Sequence, residues 1–249
     1  MMAKTFKAWL AGAALAAAVG SAAQAETLIN GIDAAFPPFA FVDTDGKAKG
    51  FDVDAINWIA KEMGFSVKHQ AVAWDGIIPN LLAKKIDFIC SGMGITEKRA
   101  EQVNFTESYW STQNVYVVKA NSKLTVQQIL TGKKKLGVQQ GTAEEAWLIE
   151  NKKKHPEWNY VAKQYTSAQM ILGDLLNGRV DAAAMNDAPA NDALKNKVKV
   201  KIAGAMGYPE KYACAVRKED KALLDKLNEG YRRLKVSPKW KELVAAYKP

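Results

Sequence analysis

The 249-residue sequence predicts an α/β protein of two small lobes, each a mixed, mostly parallel sheet flanked by helices, with a cleft between them. Three observations carry this. A helix-turn-strand phrase occurs twice. It appears first as Leu81-Leu82-Ala83-Lys84-Lys85-Ile86-Asp87 followed by Phe88-Ile89-Cys90-Ser91-Gly92. It returns as Leu175-Leu176-Asn177-Gly178-Arg179-Val180-Asp181 followed by Ala182-Ala183-Ala184-Met185-Asn186. Helix-to-strand connections this short belong to βα units and therefore to parallel pairing. Both halves also open alike, with an apolar strand running into a loop of small and polar residues. In open α/β sheets ligands sit beyond the carboxyl ends of strands, so two such edges facing each other frame a cleft.

In chain order, Leu28 to Asp33 reads as a strand that enters the loop Ala34-Ala35-Phe36-Pro37-Pro38-Phe39. Ile77, Ile78, Leu81 and Leu82 fall at the spacing of a packed helix face, and the first copy's strand follows. Thr96 can cap a short helix that carries Arg99 in its first turn. Leu136 to Gln139 is a strand feeding Gln140-Gly141-Thr142. Thr142 and Glu145 have the T-x-x-E spacing of a capping box. That spacing supports equally a plain helix cap and a helix whose free N–H groups seat a carboxylate. Met170, Ile171, Leu172 and Leu175 make the apolar face of a helix ended by Asn177-Gly178, and the strand 182–186 completes the second phrase.

Residues 1–25 stand apart. Lys4 and Lys7 precede an apolar run from Ala8 to Val19 and a small-residue end, Ala23-Gln24-Ala25. This is the three-part pattern of a secretory signal peptide cleaved after Ala25. A transmembrane anchor is the alternative, but the run is shorter than the roughly 20 residues a bilayer core requires. No cysteine follows the cleavage site, so no lipid anchor is expected there, and the mature protein is expected to be exported and soluble. The rest has an ordinary globular composition, 48% hydrophobic and 24% charged. The net charge is +9, and loss of Lys4 and Lys7 leaves it basic. The lysines lie in short separate runs, Lys133 to Lys135, Lys152 to Lys154 and alternate positions from Lys195 to Lys201, without aromatic interleaving. They read as solvated faces and not as a nucleic-acid surface. Two histidines and two distant cysteines supply neither a metal site nor a catalytic triad, and GxSxG and GxxxxGK[ST] are missing. No cofactor is expected.

Several motifs coincide in order over nearly all of residues 28–247: GIDAAFPPFAF with DGKAKGFDVD, AWDGIIPNLLAKKID, SGMGITEKR with VNFTESY, GVQQGT, NGRVDAA and YACAVRKED. In these the chain resembles the periplasmic substrate-binding proteins of ABC importers, polar amino acid family (solute-binding protein family 3). The resemblance implies a two-lobed, periplasmic-binding-protein-like (type II) fold. Lobe one would comprise residues 26–112 and 212–249, and lobe two residues 113–211, with crossings near Ser111 to Gln113 and Lys211 to Tyr212.

It also implies a ligand set. Arg99 matches the arginine that forks onto the ligand's α-carboxylate, a geometry suited to a guanidinium. Ser91, Gly92, Met93 and Gly94 match the stretch supplying backbone and hydroxyl contacts. Gly94 stands where a Ser or Thr hydroxyl usually supports that carboxylate, so backbone amides or water would take its place. Gln139, Thr142 and Ala143 would contribute from the second lobe. The α-ammonium needs an acceptor, and counting from Asp181 offers either Asn186 or, through a one-residue bulge, Asp187, with Asp187 preferred. Phe36 and Trp74 match an aromatic pair that sandwiches the ligand side chain, and packing in the core is their alternative role. Asp33 and Glu144 would set negative charge near its far end, which favours arginine, lysine, histidine or glutamine and ranks basic amino acids first. Glu144 also suits its own helix N-terminus.

The expected function is reversible capture of a polar, basic amino acid by hinge closure in the periplasm, followed by delivery to a membrane-embedded ABC permease. No enzymatic activity is expected, and the protein is expected to act as a monomer. Two other classes remain: an enzyme on the same scaffold, of the prephenate or arogenate dehydratase kind with Glu144 as its acid, and a soluble sensor for a receptor. Cys90 and Cys214, both in strands assigned to lobe one in an oxidising compartment, are offered as a pair.

Overall fold

The computed structural model describes residues 26–247; the signal-peptide reading of 1–25 lies outside the described residues. Strand β1 (Thr27–Ile32) leads to a small antiparallel sheet of β2 (Ala35–Phe36), β3 (Ala40–Val42) and β4 (Ala48–Lys49). Helix α1 (Phe51–Glu62) and strand β5 (Ser66–Ala71) follow. A 3-10 turn (Trp74–Gly76) runs into α2 (Ile77–Leu82), then β6 (Phe88–Ile89), α3 (Glu97–Ala100) and β7 (Val103–Phe105). The long β8 (Trp110–Lys119) opens a second unit of α4 (Val126–Thr131), β9 (Lys135–Gln139), α5 (Ala143–Lys154), β10 (Val161–Tyr165), α6 (Ala168–Leu176), β11 (Ala182–Asn186) and α7 (Asp187–Lys195). The chain returns along β12 (Val200–Tyr212) to β13 (Ala215–Arg217), α8 (Lys221–Val236) and α9 (Pro238–Tyr247).

Two five-stranded sheets result, ordered β5-β1-β6-β13-β7 and β10-β9-β11-β8-β12. In each the first three strands run parallel and the fourth, β13 or β8, runs against its neighbours. This is the two-lobed α/β plan that the doubled phrase predicts.

The phrase recurs because each copy does the same mechanical work. Its aspartate exchanges two bonds with one residue in the first half of the neighbouring strand. Asp87 N–H donates to Ile29 O and its Oδ2 accepts from Ile29 N–H, both at 2.8 Å. Asp181 N–H donates to Lys135 O at 2.8 Å and its Oδ2 accepts from Lys135 N–H at 2.7 Å. The turn before it needs a left-handed residue, which is Lys84 (φ 58°) in one copy and Gly178 (φ 76°) in the other.

Alternation along the strands distributes the core. In the second sheet Val115, Val117, Ala183 and Met185 pack under Ile171 and Leu175 of α6. Tyr116, Val118, Ala182 and Ala184 face Ile129 and Leu148 on the opposite side. In the first sheet Phe88 and Val216 join Phe51, Ile56, Ile59, Tyr231 and Leu234, while Ile89 and Ala215 face Ile77 and Leu81. Cys90 lies just beyond β6 and Cys214 just before β13, so neither is inside a strand, contrary to expectation. The disulfide between them, with Cα atoms 4.5 Å apart, closes 124 positions of chain.

Candidate functional site

Beyond the carboxyl ends of β1, β6, β9 and β11 lies a cavity of about 330 Å³. Its walls come from both sheets, and 12 of the residues singled out from sequence line it: Asp33, Phe36, Trp74, Ser91, Gly92, Gly94, Arg99, Gln139, Thr142, Ala143, Glu144 and Asn186.

Arg99 is held in place before any ligand is considered. Thr96 caps α3 by accepting from Arg99 N–H at 3.2 Å. The side chain is buried to 9% exposure and spans the two units: Nη1 donates to Gly94 O at 2.8 Å and Nη2 to Gly141 O at 3.1 Å. Its Cζ lies 5.4 Å from the centroid of the Trp74 ring, a cation–π arrangement. Burial pulls its pKa down, opposed by the charges of Glu210 and Glu144, yet a guanidinium stays protonated. The Trp74 indole N–H is buried and has no hydrogen-bond partner among the described residues.

Asp33 closes the opposite connection. Its Oδ2 accepts from Gln139 Nε2 at 2.8 Å, its Oδ1 from Ala35 N–H at 3.0 Å, and its own N–H donates to Ser91 Oγ at 2.9 Å. Burial raises its pKa, and the Gln139 and Ala35 bonds oppose the rise. Gly92 sits at φ 59°, and a Cβ there would lie 2.4 Å from Phe36 Cε1, so this position requires glycine on both counts. Its N–H donates at 2.5 Å to Oδ2 of the buried Asp52, which also accepts from Tyr109 OH at 2.8 Å. Burial nevertheless lifts that carboxyl to about 7.

Two helix N-termini form the second wall. Thr142 caps α5 by accepting from Glu145 N–H at 3.3 Å. The return bond of the expected capping box goes elsewhere. Glu145 Oε2 accepts from Gly141 N–H at 2.8 Å and not from Thr142, because the turn at Gly141 brings that amide closer to the helix start. Glu144 is 6% exposed, and burial with the nearby Glu210 charge pushes its pKa to about 7, against the pull of Arg99. Asn186 ends β11 and caps α7: Oδ1 accepts from Ala188 N–H at 3.0 Å and Thr112 Oγ1 at 2.7 Å, and Nδ2 donates to Asn114 Oδ1 at 3.1 Å.

Two expected residues lie off the cavity wall. Asp187 is the first residue of α7, its carboxylate sharing the one Thr112 hydroxyl proton with Asn186 Oδ1, and no bulge turns it inward, so Asn186 takes the wall position instead. Met93 is fully buried with Ile77, Leu81 and Val103, and its carbonyl accepts from Ala213 N–H at 3.0 Å. The left-handed turn at Gly92 directs it into the core. Glu210 and Tyr212, which the sequence reading missed, complete the lining. They sit at the end of β12, beside the crossing expected near Lys211 to Tyr212, and that crossing was the one signal able to flag them. With Glu210 included, three carboxylates face one guanidinium.

Residues 28–249 match the family model described as bacterial extracellular solute-binding proteins, family 3. The chain is 31% identical to the ABC transporter arginine-binding protein 1 of Escherichia coli (strain K12), over 95% of this chain and 97% of that one. An ancestral arginine-binding protein bound to arginine superposes with a TM-score of 0.83 at 34% identity, covering 91% of this chain and all of the other. An ancestral amino acid-binding protein described as a precursor of cyclohexadienyl dehydratase gives a TM-score of 0.79 at 29% identity, covering 89% and 95%.

Proposed function

From the premise that this chain belongs to the bacterial extracellular solute-binding proteins of family 3, we propose that it captures a basic amino acid, arginine foremost, in the periplasm and delivers it to an ABC permease. One observation carries the choice of ligand: the buried Arg99 faces Asp33, Glu144 and Glu210 across the cavity. Arg99 takes the α-carboxylate in a charge-assisted fork. Asp33 and Glu144 offer charge to a cationic side chain held between Phe36 and the Trp74 ring, whose indole N–H has a donor to spare. Ser91, Gly92, Thr142 and Ala143 complete the grip.

The lobes are residues 26–112 with 212–249 and residues 113–211, joined by β8 and β12. The pairing of Trp110 with Tyr212 and Thr112 with Glu210 at the crossing supports this division. Arg99–Gly141 and Asp33–Gln139 bonds form only when the two walls meet, so a ligand touching both walls biases closure. Micromolar capture is worth about −8.2 kcal/mol, which an amino acid can supply below the ceiling of about −1.5 kcal/mol per heavy atom.

A thermal-shift panel of the twenty amino acids tests the reading. The basic ones should stabilise most, and Arg99→Ala should abolish the shift. A best response to an acidic or aliphatic ligand, or an undiminished shift in the variant, overturns it. A dehydratase on this scaffold would need a placed acid such as the buried Glu144, so turnover of prephenate or arogenate would favour that rival, and none is expected.

A further inference from the structure

We propose that Glu210, occupying the space that Gly94 leaves open, is the anion that faces the ligand's α-ammonium. The inference rests on the amino acid reading above but not on which amino acid is bound.

Gly94 is the first observation. Its φ lies outside the left-handed region, so the backbone does not demand glycine here. The surroundings do. A Cβ at this position would lie 2.4 Å from Glu210 Oε1 and 2.5 Å from its Cδ. A side chain at 94 would therefore push the Glu210 carboxylate out of its observed place. The Glu210 carboxylate stands where a supporting hydroxyl is expected.

Topology explains how Glu210 reaches this point. The pairing of β12 with β8 slips between Met206 and Glu210, and an irregularity of this kind re-aims the side chains that follow. Glu210 then lies opposite Thr112 and lines the cavity.

Its neighbours identify the end of the ligand it meets. An α-ammonium and an α-carboxylate share one carbon, so their partners must be adjacent. Arg99 Nη1 donates to Gly94 O, which places the carboxylate clamp against the same residue that Glu210 crowds. On its other side Glu210 Oε2 accepts from Asn114 Nδ2 at 3.4 Å, and Asn114 Oδ1 accepts from Asn186. Asn186 is neutral, and the Asp187 carboxylate is engaged by Thr112 off the cavity wall. Glu210 is the carboxylate that lines this end of the cavity; burial raises its pKa, and the charge of Asp187, acting from behind it, adds to the rise. A buried cation left without a partner on the wall is costly. Asp33, oriented by Gln139 and Ala35, is left to the side-chain end of the ligand. Glu144 sits on the helix cap formed by Thr142.

Calorimetric titration of L-arginine and of 5-guanidinopentanoate, the same molecule without its α-amino group, tests the assignment. Glu210→Gln should weaken L-arginine by about ten- to a hundredfold, the worth of a hydrogen bond to a charged group, and leave the des-amino analogue little changed. Glu210→Asp should recover part of the loss. Gly94→Ser should reproduce the loss by displacing the carboxylate, and Gly94→Ser/Glu210→Ala should bind no worse than Glu210→Ala alone. Equal losses for both ligands, no loss, or additive losses at 94 and 210 overturn the proposal. Thermal unfolding of each unliganded variant separates misfolding from lost recognition. If the panel above selects a different amino acid, the basic-ligand reading falls, while the same pair of titrations with that amino acid and its des-amino analogue still decides the role of Glu210.

Discussion

The two five-stranded sheets share a strand plan, and what locks them differs. Around the first, the Cys90–Cys214 bridge ties the chain beyond β6 to the segment entering β13. An aromatic cluster packs beside the bridge: Tyr109 stacks on Tyr231 at 5.0 Å, Phe39 meets Tyr212 at 5.1 Å and Phe51 meets Trp240 at 5.4 Å. The second sheet has an alanine-rich β11 under Ile171, Leu172 and Leu175 and no covalent tie among the described residues. The walls differ accordingly. The cross-linked side offers Asp33 and Arg99, and the other side offers the capping residues of two helices, Thr142 and Asn186, together with the carboxylates of Glu144 and Glu210. One topology thus supports two kinds of binding wall, because the plan sets where strand ends lie and the packing sets what they hold.

Removing the bridge should have the largest effect. Cys90→Ser/Cys214→Ser is expected to lose about 2–5 kcal/mol in urea unfolding, with the reduced wild type falling to a similar midpoint. Unfolding midpoints unchanged by reduction would mean that the aromatic cluster alone secures the first sheet.

Next come two glycines at matching places under a packed isoleucine. A Cβ on Gly31 would lie 2.3 Å from Ile86 Cδ1, and on Gly137 2.6 Å from Ile171 Cγ2. A terminal methyl can rotate away, whereas Cγ2 is fixed to its branch point. Each Gly→Ala change should cost about 1–3 kcal/mol, with Gly137→Ala the more costly despite its longer distance. The reverse order in thermal melts would place the softer packing in the second sheet.

The cavity carboxylates give a pH signature. Glu144 is raised from 4.5 to about 7 when folded and unliganded, facing Glu210, Asp33 and Arg99. It therefore holds its proton more tightly in the folded protein, and unliganded stability should fall as pH climbs from about 4.5 to about 7. A cationic ligand favours the ionised form, so binding should release protons and strengthen through the same window, by at most about tenfold for each step of one in pH. Glu144→Gln should flatten the affinity profile of L-arginine across that window, as read by titration in buffers of different ionisation enthalpy.

The smallest effect compares the two turns of the doubled phrase. Lys84 holds a left-handed conformation that Gly178 adopts freely. Lys84→Gly should stabilise by up to about 1 kcal/mol, and Gly178→Ala should destabilise by about as much. A loss of stability in Lys84→Gly as large as that in Gly178→Ala would show that the lysine turn carries no strain.

The elements set by local chemistry were readable before the structure. The doubled phrase announced two βα units because Asp87 and Asp181 serve the same bond exchange, and Thr96 announced the short helix that carries Arg99. Thr142 announced its helix, though its box partner Glu145 turned to Gly141. Misreadings arose where the direction the backbone takes at a single residue decides. Met93 looks like its flanking site residues until the left-handed turn at Gly92 sends it to the core. Asn186 and Asp187 are indistinguishable by counting until the start of α7 leaves the first on the wall and occupies the second.

By itself, then, the sequence determined the two-unit α/β plan, the strand ends that border the cavity and the arginine on its capped turn, since all of these follow from patterns within a few residues of one another. Only the tertiary structure decided the charge of the cavity. Glu210 joins it across more than a hundred residues of intervening chain from Gly94, through a slip in strand pairing and a gap the width of one side chain, and neither is written in local spacing.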